Sequence, residues 1–274
     1  MDHKDCIIEV VYICTGDYSK YAPQFVESLK FFFPGYRKVL RIISDRCDEL
    51  VGFHDDDVII TTLTKKPNMI FPCVPIHKFS WVKEMLDCTA DYVFYFDADT
   101  IFREKVGYNW EHILDLMDKS LILLSKHPCY LLTDEESLKA WLYGFYIDNP
   151  TKDPQYASYI ASDEYVYVIT SFFAANKRIM GEFCEKVISL QLEDMTRRKS
   201  YYIPKFIDEN YVNMLLDKTM RGEYTGFDFY VGEFNVLYHG EGIPMASNFG
   251  TGTYDTDSAF MFQKNMKNYK TNQR

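Results

Sequence analysis

The sequence predicts an α/β protein with a mostly parallel central sheet flanked by helices. Three observations lead to this prediction. Short apolar runs rich in β-branched residues alternate with segments of helical periodicity, which is the order of elements in sheets covered by helices. The chain has 274 residues, of which 47% are hydrophobic, enough to bury a core without disulfides. It has no internal repeat and no clear linker, so one domain over residues 1–274 is expected.

The first half of the chain contains four expected strands and two expected helices. Residues 6–14 (CIIEVVYIC) form an apolar run that stops at a Thr-Gly-Asp turn. Apolar residues then recur at helical spacing over 21–33, until a Pro-Gly pair ends the segment. The other expected elements are strands at 38–44, 57–63 and 92–96, and a helix over 78–88 that follows a loop with three prolines.

The second half is aromatic and less regular. An apolar stretch lies at 121–124, and a Tyr-rich stretch runs to residue 173. One helix is expected over 176–192 and another from about residue 208. An aromatic segment that contains glycine covers 224–238, and the last residues, 263–274, form a polar and basic tail.

Composition excludes several classes of protein. The formal net charge of −10 argues against nucleic acid as a partner, because binding to phosphate backbones needs a basic face. Seven cysteines, an odd number without a C-x-x-C pair, predict reduced thiols and a cytoplasmic protein. The charged amino terminus and the lack of a run of ~18 apolar residues predict no signal peptide and no transmembrane segment.

Two aspartates, Asp97 and Asp99, directly follow the apolar strand at 92–96. In open α/β sheets, ligands bind beyond the carboxyl ends of the strands, so both carboxylates are expected at the binding crevice. Such hard oxygen ligands suit Mn²⁺ or Mg²⁺, which would bridge the phosphates of a nucleoside diphosphate. The same D-x-D spacing occurs at 55–57 and 255–257, but neither copy follows an apolar strand.

A second group of polar residues begins the helix expected near residue 208. Asp208 is expected at its cap and Glu209 in its first turn, where the helix N-terminus should keep the Glu209 carboxylate ionised. Asn213 lies one turn further along the same face. From these residues alone, the favoured interpretation is that the two acids merely cap a helix, because Asp and Glu are common in first turns.

Six segments, in order along the chain, resemble motifs of glycosyltransferase family 6, the retaining enzymes that include the blood-group A and B transferases and their bacterial relatives. They are YICTGDY at 12–18, YFDAD at 95–99, KHPC at 126–129, ASYI at 157–160, FFAA at 172–175 and FIDENYVN at 206–213. The resemblance covers the chain from Val10 to about Leu216.

The resemblance implies a GT-A fold with a nucleotide-sugar-binding half (1–102), an acceptor-binding half (103–262) and the basic tail. It also implies Mn²⁺ or Mg²⁺ as cofactor and UDP-galactose or UDP-N-acetylgalactosamine as donor. The sugar would pass to an oligosaccharide or glycolipid acceptor in an α1,3 linkage, with retention of configuration. A glycolipid acceptor would bring a cytoplasmic protein to a membrane surface.

The resemblance also implies roles for individual residues. Glu209 would be the catalytic carboxylate that faces the anomeric carbon, either as nucleophile or as stabiliser of an oxocarbenium-like transition state. The donor contacts would be Ile13, Thr15, Tyr18, Asp97, Asp99, Ile169 and Ser171, the acceptor contacts His127, Asp208 and Asn213, and the metal ligands Asp97 and Asp99. Lysines at 264, 267 and 270 would fold over the diphosphate. Lys78, in contrast, is expected on a solvated helix face.

Two departures from the family pattern affect the expected acceptor pocket. Phe206 and Ile207 replace Trp-His, and Ala174 and Ala175 replace two glycines, so the pocket should differ in shape. Two other readings remain open. One is another GT-A transferase, of the glycogenin-like family 8 type with UDP-glucose as donor, and the other is a non-catalytic, metal-bound sugar-binding module.

Overall fold

Helices and strands are interspersed along the described part of the chain, as the sequence predicts for an α/β protein. The computed structural model describes residues 3, 5–50, 58–67, 73–86, 89–102, 109–126, 166–198, 207–232, 236–238 and 261–263. The helices in these ranges are α1 (Ala22–Ser28), α2 (Cys73–Met85), α3 (Trp110–Asp118), α4 (Lys177–Arg198) and α5 (Ile207–Met220). Short 3₁₀ turns occur at Gly16–Tyr21, Leu29–Phe31 and Cys47–Glu49.

A seven-stranded mixed sheet forms the centre of the fold. Its strands are β1 (Ile7–Ile13), β2 (Arg37–Ser44), β3 (Val58–Lys65), β4 (Tyr92–Asp97), β6 (Leu121–Lys126), β7 (Val168–Asn176) and β8 (Asp228–Gly232). They lie in the order β3-β2-β1-β4-β7-β6-β8. Only β7 runs antiparallel to its neighbours β4 and β6. The prediction of a mostly parallel α/β sheet is confirmed, and its β3-β2-β1-β4 part is compatible with a Rossmann-like arrangement.

Helices cover both faces of this sheet. On one face, Phe25 of α1 and Leu114 of α3 share an apolar cluster with Tyr12 of β1. On the other face, Phe79 of α2 packs with residues of α4 and α5 and with Val11 of β1. Because both faces are buried, β1 appears in the sequence as a nearly continuous apolar run.

A second, three-stranded sheet begins directly after Asp99. It contains β5 (Thr100–Phe102), β9 (Val236–Tyr238) and β10 (Met261–Gln263), in the order β5-β10-β9. β10 runs antiparallel to β5, and Gln263 lies opposite Thr100. The chain therefore leaves β10 next to the turn that carries Asp99.

Some element boundaries differ from the prediction. α2 begins at Cys73, so Pro75 lies in its first turn and not in the expected loop; proline is tolerated there because the first amides of a helix have no partner within it. α4 continues to Arg198, six residues beyond the expected end. The expected helix over 21–33 is divided into α1 and a 3₁₀ turn that ends at Phe31.

Two further expectations concern thiols and membranes. Cys6, Cys14, Cys47 and Cys184 are free, and two of these four side chains are fully buried. Within the described ranges, no helix has the length and apolarity required to cross a bilayer.

Candidate functional site

The turn after β4 carries the two strand-end aspartates. β4 ends at Asp97, and Ala98 and Asp99 lead into β5. The hydroxyl of Tyr12 on β1 donates a buried hydrogen bond of 2.7 Å to the carbonyl oxygen of Ala98. The side chains of Asp97 and Asp99 are both partly exposed. The turn is thus fixed to the sheet, while its carboxylates are reached by solvent.

A buried lysine links the end of β4 to helix α5. Lys78 of α2 is only 5% exposed. Its Nζ lies 2.6 Å from Oδ2 of Asp208 and 3.2 Å from Oδ1 of Asp97. It also donates a 3.0 Å hydrogen bond to the carbonyl oxygen of Thr170 on β7. The prediction that Lys78 lies on a solvated helix face is wrong, because two carboxylates and a carbonyl compensate its burial.

Each carboxylate oxygen that Lys78 contacts has a second donor. The Tyr95 hydroxyl donates to Oδ1 of Asp97 at 2.7 Å, and the Thr170 hydroxyl donates to Oδ2 of Asp208 at 2.6 Å. Burial lowers the pKa of Lys78, but the charges of Asp208 and Asp97 outweigh that effect and raise it above its ordinary value. Lys78 is therefore a permanent cation between two carboxylates at neutral pH.

The first turn of α5 brings two acids to the same place. α5 begins at Ile207, with Asp208 and Glu209 in its first turn. The prediction that Asp208 caps this helix is wrong, because it lies inside the helix and its side chain is held by Thr170 and Lys78. Glu209 is partly exposed, and the Tyr167 hydroxyl donates a 2.9 Å hydrogen bond to its Oε2.

The protonation of Glu209 differs from the expectation based on the helix N-terminus. Burial, reinforced by the negative charge of Asp208, raises the pKa of Glu209 to about 8, although Tyr167 and Lys78 act in the opposite direction. The prediction of an ionised Glu209 in the ligand-free protein at neutral pH is therefore wrong. The helix dipole contributes only ~0.3–1 kcal/mol at an exposed site, and the loss of hydration outweighs it here.

This raised pKa predicts a pH-dependent effect of Glu209→Gln on stability. Between the ordinary carboxyl pKa of 4.5 and about 8, the folded state holds a proton on Glu209 that the unfolded state has lost. The stability that the Glu209 carboxyl group contributes is fully present below pH 4.5 and is lost as the pH rises to about 8. Urea unfolding at several pH values should show Glu209→Gln gaining free energy of unfolding, relative to wild type, across this interval. Glu111→Gln, at an exposed position on α3, is the control, and a pH-independent difference at Glu209 would contradict the prediction.

Asn213 docks α5 against β7. Its Oδ1 accepts a hydrogen bond from the Val168 amide at 2.8 Å, and its Nδ2 donates to the Val168 carbonyl oxygen at 3.0 Å. The same Nδ2 donates to the backbone carbonyl oxygen of Glu209 at 2.9 Å. The amide thus orients the first turn of α5, and its contact with an acceptor stays a prediction.

The residues expected to hold the nucleotide lie at the carboxyl end of β1. Ile13 is buried in the apolar cluster on the α2 side of the sheet, and Thr15 is also buried. Gly16, at a φ of 58° that favours glycine, turns the chain, and its amide donates a 2.7 Å hydrogen bond to Oδ1 of Asp45. Tyr18 is half-buried, with its ring centroid 6.0 Å from that of Tyr21. Their contact with a nucleotide stays a prediction.

The residues expected to choose the sugar lie on β7, where its pairing with β6 is irregular. Leu124 lies opposite Phe173, whereas the next residue, Ser125, lies opposite Ile169. Ser171, within this irregularity, is buried, and its hydroxyl has no hydrogen-bond partner in the described part of the chain. Such irregularities are common beside active sites. Ile169 is buried in the apolar core, and the roles of both residues in donor choice stay predictions.

The carboxylates fit a divalent cation that takes most of its ligands from outside the protein. The described residues contain no group of three or more His, Cys, Asp or Glu side chains that could hold a metal ion by themselves. Mg²⁺ and similar ions often use one or two carboxylates, with phosphate oxygens and water as the other ligands. Asp97 and Asp99 would serve in this way, with Lys78 next to Asp97 as a fixed positive charge.

Sequence reasoning missed several polar residues that complete the site. Tyr95, Tyr167 and Thr170 each donate a hydrogen bond to one of the acids. Tyr95 and Thr170 lie in apolar strands and look like core residues in the sequence. Only their positions in the sequence could have indicated a role in the site. Tyr95 precedes Asp97 on β4 by two residues, and Thr170 directly precedes Ser171.

Other expected site residues lie outside the described ranges, namely His127, the segment 157–160 and the tail from residue 264 onward. Neither models of protein families nor curated proteins give a match to this chain.

Proposed function

We propose that this chain is a retaining glycosyltransferase with a GT-A fold. It would move galactose or N-acetylgalactosamine from UDP to an oligosaccharide or glycolipid acceptor in an α1,3 linkage. The proposal combines the motif resemblance with the site geometry and the strand order around it.

One observation carries the proposal. Asp97, Lys78, Asp208 and Glu209 come from β4, α2 and α5 and meet at the carboxyl edge of a mostly parallel sheet. This edge is where open α/β sheets bind nucleotides. A cluster of carboxylates with one buried cation and one strongly shifted pKa is more typical of a reaction site than of a helix end.

The reaction assigns a separate task to each part of the cluster. A divalent cation at Asp97 and Asp99 would neutralise charge on the departing diphosphate. Glu209 would face the anomeric carbon, where positive charge develops as the bond to the leaving group breaks. Either of its possible roles, nucleophile or stabiliser, requires an ionised carboxylate, which Tyr167 orients through its hydrogen bond.

The course of the last described strand also supports this function. β10 ends at Gln263, which lies opposite Thr100, the residue that follows Asp99 in the sequence. The lysines at 264, 267 and 270 follow in the sequence. A basic segment that starts beside the metal-binding turn is well placed to reach the phosphates of a bound donor.

A donor panel tests the proposal. The protein with Mn²⁺ should hydrolyse UDP-galactose or UDP-N-acetylgalactosamine slowly, because water replaces the missing acceptor. UDP-glucose, UDP-N-acetylglucosamine and GDP-mannose should react at least ~10-fold more slowly, since a site built to hydrogen-bond one hydroxyl pattern discriminates strongly against another. NMR of the released sugar should show the α-anomer first.

The outcomes separate the candidate functions. Turnover confined to UDP-glucose would favour the glycogenin-like alternative. Binding of UDP and Mn²⁺ without turnover of any donor or acceptor would favour the sugar-binding module. Protein treated with EDTA is the control for metal dependence.

A further inference from the structure

Lys78 has contacts that the proposed reaction does not explain. Its ammonium makes no expected contact with the reacting atoms, yet it is buried and bonded to three different elements: β4 through Asp97, β7 through Thr170 and α5 through Asp208. Burial of an ammonium strongly destabilises a protein unless the ammonium donors are paired. The three acceptors meet that requirement and fix the position of Nζ.

The geometry of this cluster connects the two functional ends of the site. Asp97 belongs to the turn expected to hold the cation, and Asp208 is the direct neighbour of Glu209. Tyr95 and Thr170 hold the same two carboxylate oxygens from the sheet side. The ring of Tyr95 also lies under the ammonium, with its centroid 5.0 Å from Nζ.

We propose that Lys78 is a positioning residue with two separable effects. Its tether holds the first turn of α5, and with it Glu209, in register with the Asp97–Asp99 turn. Its positive charge weakens the binding of a divalent cation to that turn. This inference rests on the proposed function, because the cation and the reaction are those of a glycosyltransferase.

The two effects predict opposite changes in Mn²⁺ affinity and in the rate of donor hydrolysis when Lys78 is replaced by methionine. Methionine keeps much of the length of the side chain. Mn²⁺, titrated in the presence of UDP, should bind at least ~3-fold more tightly, because a like charge has been removed next to Asp97. The rate constant for donor hydrolysis should fall ~10–100-fold, since small misplacements of reacting groups cost about that much. Hydrolysis of the donor is measured in place of transfer because Asp208 is also an expected acceptor contact. A changed acceptor contact would alter the transfer rate but not the hydrolysis rate.

A charge-matched variant keeps the test informative if Lys78→Met folds poorly. Lys78→Met combined with Asp208→Asn removes one positive and one negative charge, so the net charge of the cluster is unchanged. Mn²⁺ affinity should return to within ~2-fold of wild type, whereas hydrolysis should remain slow because the tether is still absent. Asp208→Asn alone is the reference, and Lys83→Met, at an exposed position on the same helix, is the control.

Several results would overturn the inference. If Lys78→Met weakens metal binding and hydrolysis together, in proportion to the loss of folded protein, Lys78 is only structural. If both quantities are unchanged, it has no role in the site. If the wild-type protein binds no UDP with Mn²⁺, the proposed function fails. Hydrogen exchange then still tests whether Lys78 tethers the first turn of α5. The Val168 amide, which Asn213 of α5 protects, should then exchange faster in the double variant than in Lys83→Met, and equal rates would refute the tether.

Discussion

Asp99→Ala should abolish metal-dependent binding of UDP. Asp99 lies in the turn after β4, partly exposed, and the neighbouring Tyr12 hydroxyl fixes this turn to the sheet. Loss of residues that merely support a metal ligand costs ~10–100-fold in affinity, so loss of a ligand should cost at least ~100-fold. Calorimetric titration of the protein with UDP, with and without Mn²⁺, measures the effect.

Asp99 is a better choice than Asp97 for this experiment. Asp97 also accepts hydrogen bonds from Lys78 and Tyr95, so its removal would disturb the buried cluster. Asp57→Ala is the control, because Asp57 belongs to another D-x-D sequence that follows no apolar strand. Unchanged UDP affinity in Asp99→Ala, or an equal loss in Asp57→Ala, would refute the site.

The parts of the fold that depend on local patterns could be predicted from the sequence. β1 and β4 are mostly apolar runs bounded by turn residues, and β2 alternates short apolar and basic stretches, so their signals lie within a few neighbouring positions. The antiparallel direction of β7 could not be predicted, because it depends on partners elsewhere in the chain. β5, β9 and β10 have three residues each, too few for a periodic pattern.

In the candidate site, too, the features set by neighbouring residues could be predicted, and those set by residues distant in sequence could not. The position of Asp97 and Asp99 at the end of a strand follows from adjacent residues and is found in the structure. The burial of Lys78 depends on Asp208 and Thr170, which are distant in sequence, so the helical pattern around Lys78 does not reveal it. Glu209 is the clearest case, because its local helix favours the charged form while burial and Asp208 favour the neutral form.

That conflict at Glu209 bears on the catalytic role proposed for this residue. A carboxylate with a pKa of about 8 is mostly protonated at neutral pH in the ligand-free protein. A cation bound at the Asp97–Asp99 turn would favour its ionised form, because a nearby positive charge lowers the pKa of a carboxyl group. Binding of the donor and the metal would in this way prepare the carboxylate for the reaction.

Glu209→Gln should lower the rate constant for transfer or donor hydrolysis at least ~100-fold and leave UDP binding almost unchanged. Glutamine keeps the size of the side chain and can still accept the hydrogen bond from Tyr167, but it cannot stabilise or attack a cationic anomeric carbon. Steady-state kinetics on the preferred donor, together with UDP titration, separates the rate from the binding. Because the neutral side chain suits this partly buried position, the variant should be as stable as wild type or more stable above pH 7, so lost activity would not reflect unfolding. Glu111→Gln should behave as wild type in both assays. Near-normal turnover in Glu209→Gln would reduce Glu209 to an ordinary first-turn acid of α5, whatever the donor panel shows.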